Sequence, residues 1–543
     1  MKGKKLVRAA LAAAALTAGL TAMAGAAYTD VPASGWAAEA VAQATETGIM
    51  QGVGNGQFGM GRSLTRAEFV TMLDRLMGWE LTVPAAASFS DVAPSAWYYD
   101  EVETARAHGA VTETGAFRPN AAITRQEMAV MLVDALGYHT LAGQNSGLSI
   151  PFADVTADKG AIAIAYDCGI IKGKSADTFD PSGTARREEA AAMMMRLYDR
   201  THSETDWLHG FYAISSWSQR ALGAEMDAVS FGWSRLEWRD GAPYLNTTGE
   251  NGNTWRVPDG SQDAVDAFAQ AGVPANLAVQ MTDQTAAQAI LPDPSARAEV
   301  VRQLTAQVES GAYAGVTVDF EGMKGEALRD GLTAFVRELK AALGEKPVYV
   351  CVSPVIRHGG AYFDGYDYRA LGDAADKVIL MAHDYAAVTM DDASMARGFT
   401  TTPVTPFDEI YYALRCATDP ETGVSDLDKL ALGVSTSGTA GWTLADGRVT
   451  NRQANHPAQE TILKRLAQPD TTVTYSETYR NPYMVYLDDS GNTNVLWYEN
   501  GQSVSDKLAL ARMFGVTGVS VWRLGAIPTD PAWNVWEALT GAQ

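Results

Sequence analysis

The sequence predicts a multidomain chain: an all-α module of three repeats, then an α/β (β/α)8 barrel with a small α+β insertion between its seventh and eighth strands. Three observations carry this expectation. A motif recurs at a period of about 60 residues between positions 28 and 200, and short apolar runs alternate with helical patterns after position 207. The length of 543 residues is too great for one core.

Hydrophobic residues make up 47% and charged residues 20%, the balance of packed domains rather than of a disordered chain. A net charge of −22 argues against binding nucleic acid through its phosphates, which requires clustered Lys and Arg. The three cysteines, Cys168, Cys351 and Cys416, stand far apart without metal-ligand spacing. Neither a disulfide framework nor a metal site is signalled, and no cofactor is expected.

Residues 1–27 combine a basic start, Met1-Lys-Gly-Lys-Lys-Leu-Val-Arg8, with an alanine-rich run ending in Ala22-Met-Ala-Gly-Ala-Ala27. This reads as a secretory signal cleaved near Ala24 or Ala26. No second segment has membrane length, so the mature chain is expected outside the membrane with no span of its own.

The repeats are expected at 28–86, 87–148 and 149–203. Their openings are Thr29-Asp30-Val31, Ser90-Asp91-Val92 and Ala153-Asp154-Val155, each followed by a helical stretch and a turn containing Phe58, Phe117 or Phe179. Helix starts follow at Leu64-Thr-Arg-Ala-Glu68, Ile123-Thr-Arg-Gln-Glu127 and Thr184-Ala-Arg-Arg-Glu188. In the first two, Thr suits the N-cap and Glu the first turn, where the helix dipole favours a carboxylate. The third copy has Ala185 where Thr65 and Thr124 stand, and lacks the tryptophan represented by Trp36 and Trp97.

These units resemble the S-layer-homology family, whose modules bind secondary cell-wall polysaccharide without covalent attachment. The resemblance implies a location at the bacterial cell surface. It assigns polymer binding to Asp30, Asp91 and Asp154 with Arg66, Arg125 and Arg186. A guanidinium fork at a helix N-terminus suits an anionic sugar. Simple pairing of each Arg with the following Glu is the alternative.

The barrel is expected over 207–543, with strands at 210–215, 228–234, 275–280, 315–321, 348–354, 377–385, 430–436 and 518–524, and an insertion at about 437–500. Reacting groups in such barrels lie at the C-terminal strand ends. Alternation along the fourth run places Thr317, Asp319 and Glu321 on one face, so two carboxylates point inward with Glu321 at the mouth. An ionised Asp319 would raise the pKa of Glu321 and suit it to protonating a leaving oxygen. Taken alone, an acidic pair at a strand end points rather to a solvated or salt-bridged edge, since the motif by itself is weak.

The run Ala314-Gly-Val-Thr-Val-Asp-Phe-Glu321 resembles the D-G-x-D-x-D-x-E signature of glycoside hydrolase family 18, with Ala314 and Thr317 at the first two Asp positions. Met381-Ala-His-Asp-Tyr385 resembles the family's M-x-Y-D, and Trp522 matches the tryptophan that floors the sugar subsite. Tyr366-Asp-Tyr368, Leu371-Gly-Asp373 and Val519-Ser-Val-Trp-Arg-Leu-Gly525 are similar to spore-cortex-lytic N-acetylglucosaminidases.

The resemblance implies substrate-assisted retaining hydrolysis of β-linked N-acetylglucosamine glycan, peptidoglycan or chitin-like, with Glu321 as acid and Asp319 orienting the acetamido group. Asp384 and His383 complete the catalytic set, His383 standing where the family has tyrosine. The resemblance also implies that Trp522, Met381 and Tyr385 bind substrate. The departures at Ala314, Thr317 and His383 motivate a second reading, a weak or inactive barrel acting as a glycan-binding surface protein.

Overall fold

The computed structural model describes residues 28–541 apart from 85, 214 and 358–363. The expected signal segment lies outside the described residues. Two compact units, Met1–His202 and Ser203–Gln543, make up the chain.

The first unit is helical: α1 Trp36–Glu46, α2 Arg66–Met77, α3 Tyr99–Ala107, α4 Arg125–Ala135, α5 His139–Gln144, α6 Lys159–Asp167 and α7 Arg187–Thr201. Helices pair as α1 with α7, α2 with α3 and α4 with α6. The first helix of each repeat therefore packs on the second helix of the repeat before it, and the first repeat packs on the third. Capping boxes start α2 at Thr65 with Glu68 and α4 at Thr124 with Glu127. Arg186 holds the equivalent N-cap position of α7, where the Glu189 carboxylate accepts its backbone N–H at 3.0 Å.

The residues just before these helices close a ring. Leu64 N–H donates to the Ala185 carbonyl (3.2 Å), Ala185 N–H to the Ile123 carbonyl (3.1 Å), and Ile123 N–H to the Leu64 carbonyl (2.9 Å). All three side chains are fully buried, so the ring sits in the core shared by the repeats.

In the second unit eight parallel strands form the barrel: β1 Trp207–Tyr212, β2 Ala228–Arg239, β3 Ala275–Met281, β4 Val316–Phe320, β5 Val348–Val352, β6 Lys377–Leu380, β7 Leu430–Ser435 and β8 Gly518–Trp522. Each pairs with the next, and β8 pairs with β1 to close the sheet. Each of the eight expected runs overlaps a strand, the sixth only over Lys377–Leu380 rather than to Tyr385. β1 begins earlier than expected, at Trp207, which stacks on His209.

β2 runs past the barrel rim and turns back through Ala242–Asn246 as a hairpin. The register of β2 against β3 shifts between Gly232 and Ser234, a β-bulge around Trp233. Gly315 must be glycine because a Cβ there would lie 2.0 Å from the Pro347 carbonyl oxygen, which locks the entry of β4 against β5.

Between β7 and β8 a five-stranded antiparallel sheet forms from Thr439–Ala445, Arg448–Val449, Thr472–Ser476, Asn481–Leu487 and Thr493–Tyr498, with helix Gln459–Leu466 between its second and third strands. Its core gathers Trp442, Ala440 and Trp497 with Met390 and Val404, which belong to the segment after β6. Packing against that segment fixes the sheet beside the barrel mouth.

Candidate functional site

The barrel interior beneath the site is polar but uncharged. His209, fully buried on β1, meets the Ser520 hydroxyl at 2.8 Å with Nδ1 and the Ser230 hydroxyl at 2.7 Å with Nε2. Burial presses its pKa down to about 3, so the imidazole is neutral. Ser230 and Thr317 hydroxyls share a hydrogen bond of 2.6 Å, and Asn276 Nδ2 donates to Thr317 at 3.3 Å. Thr317 is thus occupied within the core.

Above this layer opens a cavity of about 220 Å3 lined by Phe211, Trp255, Asp319, Glu321, Met381, His383, Asp384 and Trp522, with Ile379, Gly433 and Ser520 at its base. Glu321 follows β4 directly, and its backbone N–H still donates to the Met281 carbonyl at 2.9 Å. Strand alternation therefore carries through to its side chain. Asp319 is 4% exposed and its Oδ1 has no hydrogen-bond partner.

Burial raises the pKa of both carboxyls, most strongly that of Asp319, to which the Glu321 charge adds. For Glu321, His383 works against the rise and Asp384 with it. The Glu321 charge adds to the rise at Asp319, so the pair retains a proton that isolated carboxyls would release.

Beyond β6, Met381 N–H donates to the Val352 carbonyl at 2.9 Å, which keeps Met381 in strand register and turns it into the cavity. His383 Nδ1 lies 2.8 Å from Asp384 Oδ2. Desolvation acts to raise the Asp384 pKa, but the His383 hydrogen bond and charge outweigh it and hold the group below its ordinary value.

Asp384 adopts φ 60°, a left-handed conformation that Asp tolerates better than most residues. That turn ends the alternation. Tyr385 consequently does not line the cavity: its hydroxyl is buried, and Glu409, Tyr368 and Asp408 face it. The assignment of Tyr385 to substrate contact is corrected on this ground.

Two lining aromatics were not singled out from the sequence. Phe211 is the penultimate residue of β1, and a rule naming inward residues near strand ends finds it. Trp255 lies in the loop after the β2 hairpin, where no strand-end signal exists. Its ring stacks on Trp522 at 5.7 Å between centroids, and Phe211 approaches Trp522 at 5.4 Å. Asn253 pins the loop by donating to the carbonyls of Asn246, Thr248 and Trp255 at 2.8 to 3.0 Å.

In the helical unit each aspartate assigned to polymer binding is bound to the phenylalanine turn of its own repeat, whereas Arg66 and Arg125 reach the turn of the repeat that follows. Asp30 accepts backbone N–H bonds from Phe58, Gly59 and Met60, Asp91 from Phe117 and Arg118, and Asp154 from Phe179 and Asp180, all at 2.7 to 2.9 Å. Arg66 is buried over the Phe117 ring and donates Nε to its carbonyl, and Arg125 does the same at Phe179. The third such arginine is Arg187, buried over Phe58 with Nε donating to its carbonyl at 2.9 Å. Arg186 is exposed. Its placement with Arg66 and Arg125 is corrected by one residue, because Glu189, not Glu188, closes the capping box.

Among the described residues no group of three or more His, Cys, Asp or Glu is placed to hold a metal, and no helix is long and apolar enough to cross a membrane. None of the three cysteines is in a disulfide.

A closed barrel with paired carboxylates under an aromatic wall has the groups that glycoside hydrolysis requires. Residues 281–526 match the family model for glycosyl hydrolases family 18, and residues 27–70, 88–129 and 151–191 match that for the S-layer homology domain. The chain therefore carries three S-layer-homology repeats and a family 18 glycoside hydrolase domain.

It is 27% identical over 250 residues to YdhD of Bacillus subtilis (strain 168), provisionally named a sporulation-specific glycosylase, across 45% of this chain and 54% of that one. It is 32% identical over 219 residues to an S-layer protein of Bacillus thuringiensis subsp. finitimus, across 39% of this chain and 26% of the other. The chain thus spans about half the length of the first of these relatives and about a quarter of the second. The C-terminal domain of a provisionally named chitinase from Desulfitobacterium hafniense DCB-2 superposes with a TM-score of 0.51 at 21% identity, covering 62% of this chain and 99% of that domain, a likeness of fold.

Proposed function

We propose that the protein is held at the bacterial cell surface by its repeats, which bind secondary cell-wall polysaccharide, and that its barrel hydrolyses β-linked N-acetylglucosamine glycan with retention of configuration. The observation that carries the reading is the Asp319–Glu321 pair in an aromatic-lined cavity, with a buried Asp319 oxygen lacking a partner. That oxygen fits an acetamido N–H. The glycosylase among the relatives and the S-layer protein matched by the repeats support the two halves of the proposal. Peptidoglycan is favoured over chitin because the anchoring polymer lies in the same wall.

In this mechanism the sugar's apolar face rests on Trp522. The acetamido carbonyl oxygen attacks the anomeric carbon, the bond to the leaving oxygen breaks, and the Glu321 proton passes to that oxygen. The proton that the carboxyl pair shares lies on Glu321 in this step, so Asp319 is ionised, accepts the acetamido N–H and stabilises the oxazolinium charge. Glu321, now a carboxylate, takes a proton from water as the water attacks the anomeric carbon and the bond from that carbon to the acetamido oxygen breaks, which restores the acetamido group and regenerates the acid. His383, oriented by Asp384, donates toward the acetamido oxygen.

Replacing Glu321 by Gln keeps the shape and removes the proton. Turnover of an aryl N-acetylglucosaminide should fall by about 10²–10⁴, with unchanged melting and unchanged sedimentation with isolated walls. Turnover at the wild-type rate refutes the assignment.

A further inference from the structure

The peptide unit that joins Phe320 to Glu321 is held at both of its polar ends. Its N–H donates to the Met281 carbonyl on β3 at 2.9 Å, and its carbonyl accepts the Tyr366 hydroxyl at 2.7 Å. Strand pairing explains why the second bond comes from a side chain. β4 stays in register with β3 as far as Met281 and Phe320, but its pairing with β5 ends at Val318 and Val350. Val316 N–H donates to the Pro347 carbonyl, so alternate residues of β4 present their backbone polar groups to β5, and Phe320 is the one that lies beyond the last pair. A buried carbonyl at that place needs a donor from outside the sheet.

Tyr366 is itself fixed. It is buried in the segment between β5 and the helix Tyr368–Ala374, and its oxygen accepts the Ser353 hydroxyl at 3.2 Å. With Ser353 as donor, the Tyr366 proton is committed to Phe320. Its neighbours bind the loop that follows the acid: Gly365 N–H donates to the Met323 carbonyl at 3.2 Å, and the Asp364 carboxylate accepts the Gly325 N–H at 2.7 Å. A Cβ at 365 would lie 2.5 Å from the Met323 carbonyl carbon, so the two segments run in direct contact.

We propose that Tyr366 is the positioning residue for Glu321: its hydroxyl fixes the peptide plane on which the acid is mounted and so sets where the proton meets the leaving oxygen. The inference rests on the hydrolase reading above. Asp319 stands before that plane, paired with Gln280 on β3, so loss of the Tyr366 bond falls on the acid rather than on the orienting carboxylate.

The test compares Tyr366→Phe and Ser353→Ala with wild type and Glu321→Gln in the full chain, on the methoxyphenyl and dinitrophenyl β-glycosides of N-acetylglucosamine. Methoxyphenoxide is a poor leaving group that needs the proton of the acid, whereas dinitrophenoxide departs without one. The kcat/KM value reports the bond-breaking step, and its ratio between the two substrates does not change when folded enzyme is lost. Tyr366→Phe should lower kcat/KM by about 10- to 100-fold on the methoxyphenyl glycoside and leave it within about threefold of wild type on the dinitrophenyl glycoside. Ser353→Ala should shift the ratio in the same direction by a smaller factor.

An equal fall on both substrates in Tyr366→Phe overturns the proposal, because a merely structural loss does not depend on the leaving group. Wild-type kinetics on both overturns it too. Glu321→Gln should show the same dependence on leaving group, and its full activity on the methoxyphenyl glycoside removes the hydrolase reading itself and the inference with it.

Discussion

Gly232 on β2 faces Trp255, and a methyl group there tests whether the position of that ring sets substrate binding. A Cβ at 232 would lie 2.9 Å from Trp255 Cζ3 and 3.0 Å from Cε3, with Ala213 Cβ next at 3.7 Å. Those separations fall several tenths of an ångström short of carbon–carbon contact, so one side must move. Gly232 is paired with Ala278 in the closed sheet, whereas Trp255 borders an open cavity. The ring should yield.

Overpacking of this kind costs about 1–3 kcal/mol. If the cost falls on the sugar-binding arrangement of Trp255 and Trp522, kcat/KM drops by about 5- to 150-fold. Steady-state kinetics on N-acetylglucosamine oligomers, run with thermal melts, separates the two places where the cost can fall. The expected result for Gly232→Ala is a large loss in kcat/KM with a small change in Tm. Wild-type kinetics together with a wild-type Tm would refute the argument that this contact shapes the site.

Two further outcomes follow from burial. Asp319 has a folded-state pKa raised above its unfolded value, so the native state holds the proton over a range where the unfolded chain has released it. Stability therefore falls as pH rises from the unfolded pKa through the folded one, and Asp319→Asn should melt higher than wild type at pH 8, with the difference gone near pH 4. In the helical unit, Arg187→Ala removes a buried guanidinium bound to Phe58 and Gln51 carbonyls, and should cost about 3 kcal/mol. Arg186→Ala, at an exposed position, should change stability by less than about 0.5 kcal/mol. Limited proteolysis of the full chain distinguishes them, and equal resistance of the two variants would contradict the corrected register.

The barrel was legible because each strand is a short apolar run bounded by helical pattern, and burial on both faces of a parallel sheet leaves that trace in composition. The acidic pair was legible from alternation alone, since Thr317, Asp319 and Glu321 had to share a face. What failed was local backbone geometry. The left-handed turn at Asp384 sends Tyr385 away from the cavity, and no period in the sequence announces such a turn. The adjacent Arg186 and Arg187 differ only in which Glu caps the helix, and two consecutive glutamates hid the choice. Trp255 reaches the site from a loop whose shape is set by Asn253, a contact that exists only once the loop has folded.

The three-way exchange of backbone hydrogen bonds at Leu64, Ile123 and Ala185 has a consequence for how the helical unit tolerates rearrangement. A circle of donors and acceptors has no first or last member, so copy number is built into it. Excising one repeat would strand a buried amide on one side of the gap and a buried carbonyl on the other, each at roughly 1–3 kcal/mol. Shortened versions should thus fail as a whole rather than lose a third of their grip.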